Sequence, residues 1–162
     1  MTGETDDNDS EDNVVRASAT AVGTSSVSAT ATVAFSADNI RERLEDDEYA
    51  LALVLTATRL ENIVSQAVRR HYDWNQEKFE SEGYDKYSLG ALMQECVEYG
   101  ALSEHTDELN RMRSGKRKIV SLRNNLVHEY GYLDDIEEDE DLQDELEEAI
   151  ENAIDFIESV EI

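Results

Sequence analysis

The stretch NIRERLEDDEYALALVLTATRLENIVSQAVRRHY, residues 39–72, decides the fold. It contains neither Gly nor Pro, the residues that most often end a helix. It therefore predicts one long helix, or two helices with a break near residues 45–47. Between residues 49 and 68 the helical period places side chains on two opposite faces: Leu51, Leu55 and Thr58 on one, and Leu53, Leu60, Ile63 and Ala67 on the other. A helix that is apolar on two sides must be covered on two sides, by sibling helices or by a second subunit.

Further helices are predicted from apolar spacing and from end signals. Residues 73–88 contain Gly83 and little periodicity, so we expect a loop with one irregular turn. Ser88 is a suitable N-cap and Gly100 a suitable C-terminal stop for a helix between them. The next helix is expected over residues 103–130.

The C-terminal half of the chain completes the predicted bundle. Gly115 is a candidate kink in the helix over residues 103–130, and Gly131 is its expected stop. An amphipathic closing helix is predicted from about Ile136, with one apolar stripe: Leu142, Leu146, Ala149, Ile150, Ala153, Ile154, Ile157 and Val160. The fold class is therefore all-α, a bundle of four to five helices over residues 38–162.

Residues 1–37 are predicted to be a disordered tail. The first part is polar and acidic, and the second is a Ser/Thr/Ala/Val run without helical periodicity. The alternative for the Thr/Val-rich part is a short edge strand.

The charge of the chain is the main feature of its composition. Asp and Glu number 39 against 14 Lys and Arg, which gives a net charge of -25. Acids spread over the whole chain are typical of proteins from salt-loving organisms, and the pattern indicates a halophilic archaeon. At 1 M salt the Debye length is about 3 Å, so self-repulsion is largely screened. We interpret most acidic runs as solvated surface rather than as metal or calcium sites.

Composition also restricts the location and the covalent chemistry of the protein. No apolar run approaches the roughly 18 residues of a membrane helix, and the acidic N-terminus does not resemble a secretory signal. We therefore expect a cytoplasmic protein without a membrane segment. Cys96 is the single cysteine, which excludes an intramolecular disulfide and a cysteine-based zinc site.

Basic residues cluster in one segment, where six of the 14 lie: Arg111, Arg113, Lys116, Arg117, Lys118 and Arg123. In a chain this acidic, the cluster is where a polyanion such as RNA would be attracted. Among its members, Arg113, Lys116 and Arg117 are RNA-binding candidates. The alternative is that these cations neutralise acids on neighbouring helices.

Arg123 has an unusual position on the helical wheel. It falls near the middle of an apolar arc formed by Leu109, Met112, Ile119, Val120, Leu122, Leu126 and Val127. An unpaired buried guanidinium would cost several kcal/mol, so Arg123 needs a carboxylate, carbonyls or a wet cleft with an anionic ligand. Asn124 and His128 lie one turn apart on an adjoining face. The three side chains are therefore expected to line a groove.

The segment RNNLVHEYGY, residues 123–132, resembles the R-x(4–6)-H motif of the HEPN superfamily. Tyr130 extends the match to the R-x4-H-x-Y form of HepT-like toxins. The resemblance implies a HEPN-like bundle that forms a homodimer, with the motifs of both subunits making a metal-independent ribonuclease site that uses no cofactor. It implies that Arg123, Asn124 and His128 are catalytic: His128 moves protons, Arg123 stabilises the phosphorane charge, and Asn124 orients the phosphate or the imidazole.

The resemblance leaves two questions open. It implies that Tyr130 receives AMP from a partner nucleotidyltransferase, which would act as the antitoxin; the alternative is a tyrosine that packs on the helix end. The HEPN superfamily also includes inactive proteins, so a non-catalytic binding or dimerisation module is the alternative to a ribonuclease. A chance occurrence of the motif on an unrelated helical bundle is the third hypothesis.

Overall fold

The structure is a computed structural model that describes residues 35–115 and 118–160. In these ranges it contains eight α-helices, two 3₁₀ turns and no strand. The helices are α1 (Ala37–Glu45), α2 (Tyr49–Tyr72), α3 (Gln76–Ser81), α4 (Leu89–Tyr99), α5 (Thr106–Arg113), α6 (Ile119–His128), α7 (Tyr132–Glu138) and α8 (Glu140–Ser159), and the 3₁₀ turns span Tyr84–Lys86 and Ser103–His105. The all-α class is confirmed. The predicted tail and its strand alternative lie outside the described residues, except for positions 35–37.

The described ranges contain more helices than the four or five predicted, because backbone breaks divide the predicted segments. The break near residues 45–47 is confirmed, since α1 ends at Glu45 and Asp47 has a φ of 60°. Gly115 has a φ of 111°, a conformation that favours glycine. The helix predicted over residues 103–130 is therefore broken rather than kinked. Residues 76–81, predicted to be loop, form α3.

Several predicted helix ends are confirmed. The Ser88 side chain accepts a hydrogen bond from the Ala91 backbone N–H, and Gly100 ends α4 with a φ of 76°. Gly131 is different, because α6 has already ended at His128 and Gly131 immediately precedes α7. The stripe of the closing helix is confirmed in α8, where these predicted residues are buried: Leu146, Ala149, Ile150, Ala153, Ile154 and Ile157.

The core forms around α2, which packs against α1, α4, α6 and α8. Its inner face buries Ala52, Leu53, Thr56, Ala57, Leu60, Ile63, Val64, Ala67 and Val68. Each large apolar side chain buried in this way contributes about 1.5–3 kcal/mol. On the opposite face, Leu51 and Val54 are 44% and 46% exposed. Leu55 of the predicted second side is partly buried against the core, so this side of α2 is only partly covered in the single chain.

The C-terminal end of α2 is joined to α4 by aromatic rings around a buried carboxylate. Glu95 accepts hydrogen bonds from the hydroxyls of Tyr72 and Tyr84. Trp74 stacks on Tyr72 with a centroid distance of 4.5 Å. Burial, followed by the bond to Glu95, raises the pKa of Tyr84. These contacts give Trp74 and both tyrosines a structural role.

Cys96 should make the stability of the fold sensitive to alkaline pH. Its side chain is fully buried, and burial raises the pKa of the thiol from 9.0 to about 12. Between these values the unfolded chain releases a proton that the folded chain keeps, so the free energy of unfolding falls as pH rises. We expect urea unfolding in molar KCl to show a weaker dependence on pH in Cys96→Ala than in the wild type over this window. Equal pH slopes for the two proteins would contradict the expectation.

Candidate functional site

Three of the predicted site residues, Arg123, Asn124 and His128, lie on α6. This helix packs against α2, α5 and α8 and buries Ile119, Val120 and Leu122. Asn124 and His128 are exposed, and Arg123 is half-buried. The three motif side chains therefore lie outside the core, at the surface of the bundle.

Five of the seven apolar residues predicted around Arg123 lie with it on one continuous helix, α6: Ile119, Val120, Leu122, Leu126 and Val127. Leu109 and Met112 belong to α5, beyond the break after Arg113. The apolar arc is therefore shorter than predicted, and Arg123 within it is half-buried. The guanidinium donates to the Asn124 side-chain oxygen at 3.3 Å. Within the described ranges it forms no ion pair with a carboxylate. An arginine that is half-buried and bonded only to an amide remains able to bind an anion.

His128 is the last residue of α6. It lies five positions after Arg123, which corresponds to about 7.5 Å along the helix axis. Its side chain is exposed and has no hydrogen bond to any described residue. The imidazole is therefore accessible to solvent and to a bound ligand.

Tyr130 lies between α6 and α7 and is the most exposed of the large apolar and aromatic side chains in the described ranges. Its relative exposure is 105%. The alternative in which it packs on the helix end is therefore wrong for the single chain. The following Gly131 has a φ of 83°, so the chain turns sharply after the tyrosine.

The basic segment is only partly described, because Lys116 and Arg117 lie outside the described residues. Arg113 donates to the side-chain oxygens of Gln94 and Asn110, so its guanidinium is engaged within the chain. Arg111 and Lys118 line a cleft of about 520 Å³ together with Glu108, Met112, Ile119, Glu145, Glu148, Ala149, Asn152, Asp155, Phe156 and Ser159. No described basic residue of this segment forms an ion pair. Arg111 and Lys118 nevertheless share the cleft with four carboxylates, which agrees with neutralisation of acids on neighbouring helices.

An exposed apolar surface, which we call the apolar face, adjoins the motif. It consists of Leu51 and Val54 of α2, Val127 of α6, Tyr130, and Leu133 of α7; apart from Tyr130 these side chains are 44% to 56% exposed. Leu51 and Leu133 line the same cavity, and α6 and α7 both contact α2. Val127 directly precedes His128. The motif therefore has an exposed apolar neighbour on its own helix, and Leu51 and Leu133 meet at one cavity.

Sequence reasoning found Leu51 but missed Val54 and Leu133 as parts of this face. The signal was available in the run YALALVLTAT, residues 49–58, which has no charged residue although 33% of the chain is charged. What was missing was the position of α7, which brings Leu133 beside Leu51.

Two further properties of the described residues bear on the site. Their His, Cys, Asp and Glu side chains form no group of three or more that could hold a metal ion. None of their helices combines the length and the apolar character needed to cross a membrane.

Comparison of the chain with protein-family models gives no match, and comparisons with curated proteins and with solved structures give none either. The fold and the site define an all-helical protein, in the described ranges, that carries an Arg–Asn–His motif at the surface of α6. The resemblance to HEPN proteins depends on the motif in residues 123–132.

Proposed function

We propose that the protein is a metal-independent endoribonuclease of the HEPN type that acts as a homodimer in the cytoplasm of a halophilic archaeon. Its role would be the toxin of a toxin–antitoxin or defence system. One observation carries the proposal: Arg123 bonds Asn124 at the surface of α6, His128 is exposed at the end of the same helix, and among the described residues no carboxylate pairs with either cation. A guanidinium and an imidazole at an open surface suit a phosphodiester.

The proposed reaction is attack of a ribose 2′-hydroxyl on the adjacent phosphorus. A base removes the hydroxyl proton, the new O–P bond forms, and the bond to the 5′-oxygen breaks as an acid protonates the leaving oxygen. The products are a 2′,3′-cyclic phosphate and a free 5′-hydroxyl. His128 is the group that moves protons near neutral pH, and Arg123 stabilises the charge on the phosphorane. Asn124, which already accepts from Arg123, orients that guanidinium.

A homodimer would supply the second proton-transferring group that a single motif lacks. The reaction needs a base and an acid at the same time, and His128 is one imidazole. A second copy, placed against the apolar face, would bring a second His128 and a second Arg123 to the same cleft. The exposed Leu51 and Val54 of α2 and the exposed Val127 of α6 support this arrangement, since exposed apolar patches mark interaction surfaces.

A second candidate function is a non-catalytic HEPN binding or dimerisation module. The observation that favours it is the imidazole of His128, which has no hydrogen bond to orient it within the described part of the chain. A module of this kind would bind a nucleotide or protein partner without cleaving RNA. A cleavage assay without metal in molar salt, comparing wild type with Arg123→Ala and His128→Ala, decides between the two functions.

Regulation by a nucleotidyltransferase is the proposed role of Tyr130. Its fully exposed hydroxyl would attack the α-phosphate of ATP, form an O–P bond and release pyrophosphate. We expect intact-mass analysis after co-expression with a nucleotidyltransferase from the neighbouring gene to show one added AMP. The matched control, Tyr99→Phe, changes another exposed tyrosine and should keep the added mass. An unshifted mass, or an added mass that persists in Tyr130→Phe, would contradict this role.

A further inference from the structure

The cleft of about 520 Å³ that contains Arg111 and Lys118 lies between three helices. Residues of α5 and of the start of α6 line one side of it, and residues of α8 between positions 145 and 159 line the other. We call it the α5–α8 cleft. Its volume is within the range of about 300–1,000 Å³ that is typical of small-molecule sites. None of the motif residues of α6 lines it, so it is separate from the proposed ribonuclease site.

The α5–α8 cleft has an apolar floor. Met112, Ile119, Ala149 and Phe156 line the cleft, and each of these side chains is at most 8% exposed. Small-molecule sites commonly combine such an apolar lining with a few polar groups that orient the ligand. A ligand with an aliphatic chain would find apolar contact on this floor.

The same cleft carries charges of both signs. Four carboxylates line it together with the two cations: Glu108, Glu145, Glu148 and Asp155. Within the described ranges neither Arg111 nor Lys118 forms an ion pair, and neither Glu148 nor Asp155 does. Opposite charges therefore share one cleft without being paired to each other, and both remain open to a ligand.

The positions of these charges indicate the chemistry of the ligand. Glu148 and Asp155 are seven positions apart on α8, which corresponds to about 10 Å along the helix axis, so they suit two separate cationic groups. Arg111, on the other side of the cleft, suits a carboxylate, because a guanidinium binds a carboxylate through two parallel hydrogen bonds. Four carboxylates against two cations also favour a ligand with a net positive charge.

We propose that the α5–α8 cleft binds a free basic amino acid, L-arginine or L-lysine. The α-ammonium and the side-chain cation of the ligand each bind a carboxylate of α8, and the carboxylate of the ligand binds Arg111. The aliphatic part of the ligand lies on the apolar floor, as the stems of basic side chains do on protein surfaces. The proposal depends on neither RNA cleavage nor dimerisation, and its test measures neither.

Isothermal titration calorimetry of the full chain in molar KCl tests the ligand. We expect L-arginine to bind, and two analogues that each lack one charged group to bind at least about fivefold more weakly. Agmatine lacks the carboxylate, and N-acetyl-L-arginine lacks the α-ammonium. L-Glutamate, whose side chain has the opposite charge, should bind more weakly still. The inference is overturned if neither L-arginine nor L-lysine binds at millimolar concentration, or if agmatine and N-acetyl-L-arginine bind as tightly as L-arginine.

Two substitutions of exposed side chains test the location. Arg111→Gln should weaken L-arginine binding at least about fivefold without weakening agmatine, which has no carboxylate to lose its partner. Asp155→Asn should weaken both ligands. Equal affinity for L-arginine in the wild type and both variants would overturn the inference, and so would an equal loss of both ligands in Arg111→Gln.

The controls for these variants make the same chemical changes outside the cleft. Glu147→Gln removes an exposed carboxylate of α8, and Arg70→Gln removes an exposed guanidinium of α2; neither residue lines the cleft. Each control should bind L-arginine within twofold of the wild type. A loss of binding in the controls as large as in the cleft variants would show that overall charge, and not the cleft, decides the affinity, which would also overturn the inference.

Discussion

Arg123→Ala and His128→Ala should each abolish RNA cleavage by the chain in molar KCl with chelator present. General acid–base catalysis contributes about 10²–10⁴-fold, and removing one group that stabilises transition-state charge costs about 10²–10³-fold. We therefore expect a fall of at least 100-fold in each variant. Both side chains lie at the surface of α6 rather than in the core, so the helical content should remain that of the wild type.

The controls are chosen to match in chemistry and exposure. Arg70→Ala and His71→Ala remove an exposed arginine and an exposed histidine at the far end of α2, and each should cleave within twofold of the wild type. High salt is needed because a chain with a net charge of -25 risks unfolding by self-repulsion in dilute buffer. Equal cleavage by the wild type and both motif variants would remove the catalytic assignment. Partner binding without cleavage would identify the binding module instead.

Leu51→Asp should prevent dimerisation and, with it, RNA cleavage. The side chain is 44% exposed in the single chain, so the substitution is tolerated by the monomer. In the proposed dimer it would place an unpaired carboxylate in each half of a buried apolar contact, at a cost of several kcal/mol. We expect the dimer dissociation constant to rise by at least about 100-fold, which corresponds to roughly 2.8 kcal/mol. Sedimentation velocity and the cleavage assay on the same preparations check this.

Ser81→Asp is the matched control, because it adds the same charge to an exposed position on α3, which is part of neither α2 nor the apolar face. It should leave both dimerisation and cleavage within twofold of the wild type. A Leu51→Asp protein that still dimerises would show that the apolar face is not the interface. If Leu51→Asp is monomeric but fully active, the site does not need a second copy.

The helical elements were largely predictable because they depend on local chemistry. Ser88 caps α4 through its own hydroxyl, and Gly100 ends it because glycine readily adopts a positive φ. The apolar stripe of α8 was predictable from its 3.6-residue period, because acids occupy most of the remaining positions of this helix. The short helix α3 was missed because six residues offer too little periodicity to detect.

The candidate site was predictable in its residues but not in its surroundings. The motif from Arg123 to Tyr130 is defined by residue types and their spacing, and both can be read from the sequence. The neighbours of Arg123 were predictable only within α6. The break at Gly115 separates Leu109 and Met112 of α5 from the apolar arc around Arg123, because helical phase is lost across such a break.

The sequence by itself determined that this protein is all-helical, strongly acidic and provided with an Arg–Asn–His–Tyr motif near the end of a helix. Local propensity, charge and spacing need no knowledge of distant contacts. Only the tertiary structure decided which apolar side chains remain uncovered. Leu51 and Leu133 are more than eighty residues apart in the chain, yet they line one cavity because α2 and α7 pack together. Exposure is a property of the packed helices, and one chain's periodicity does not specify it.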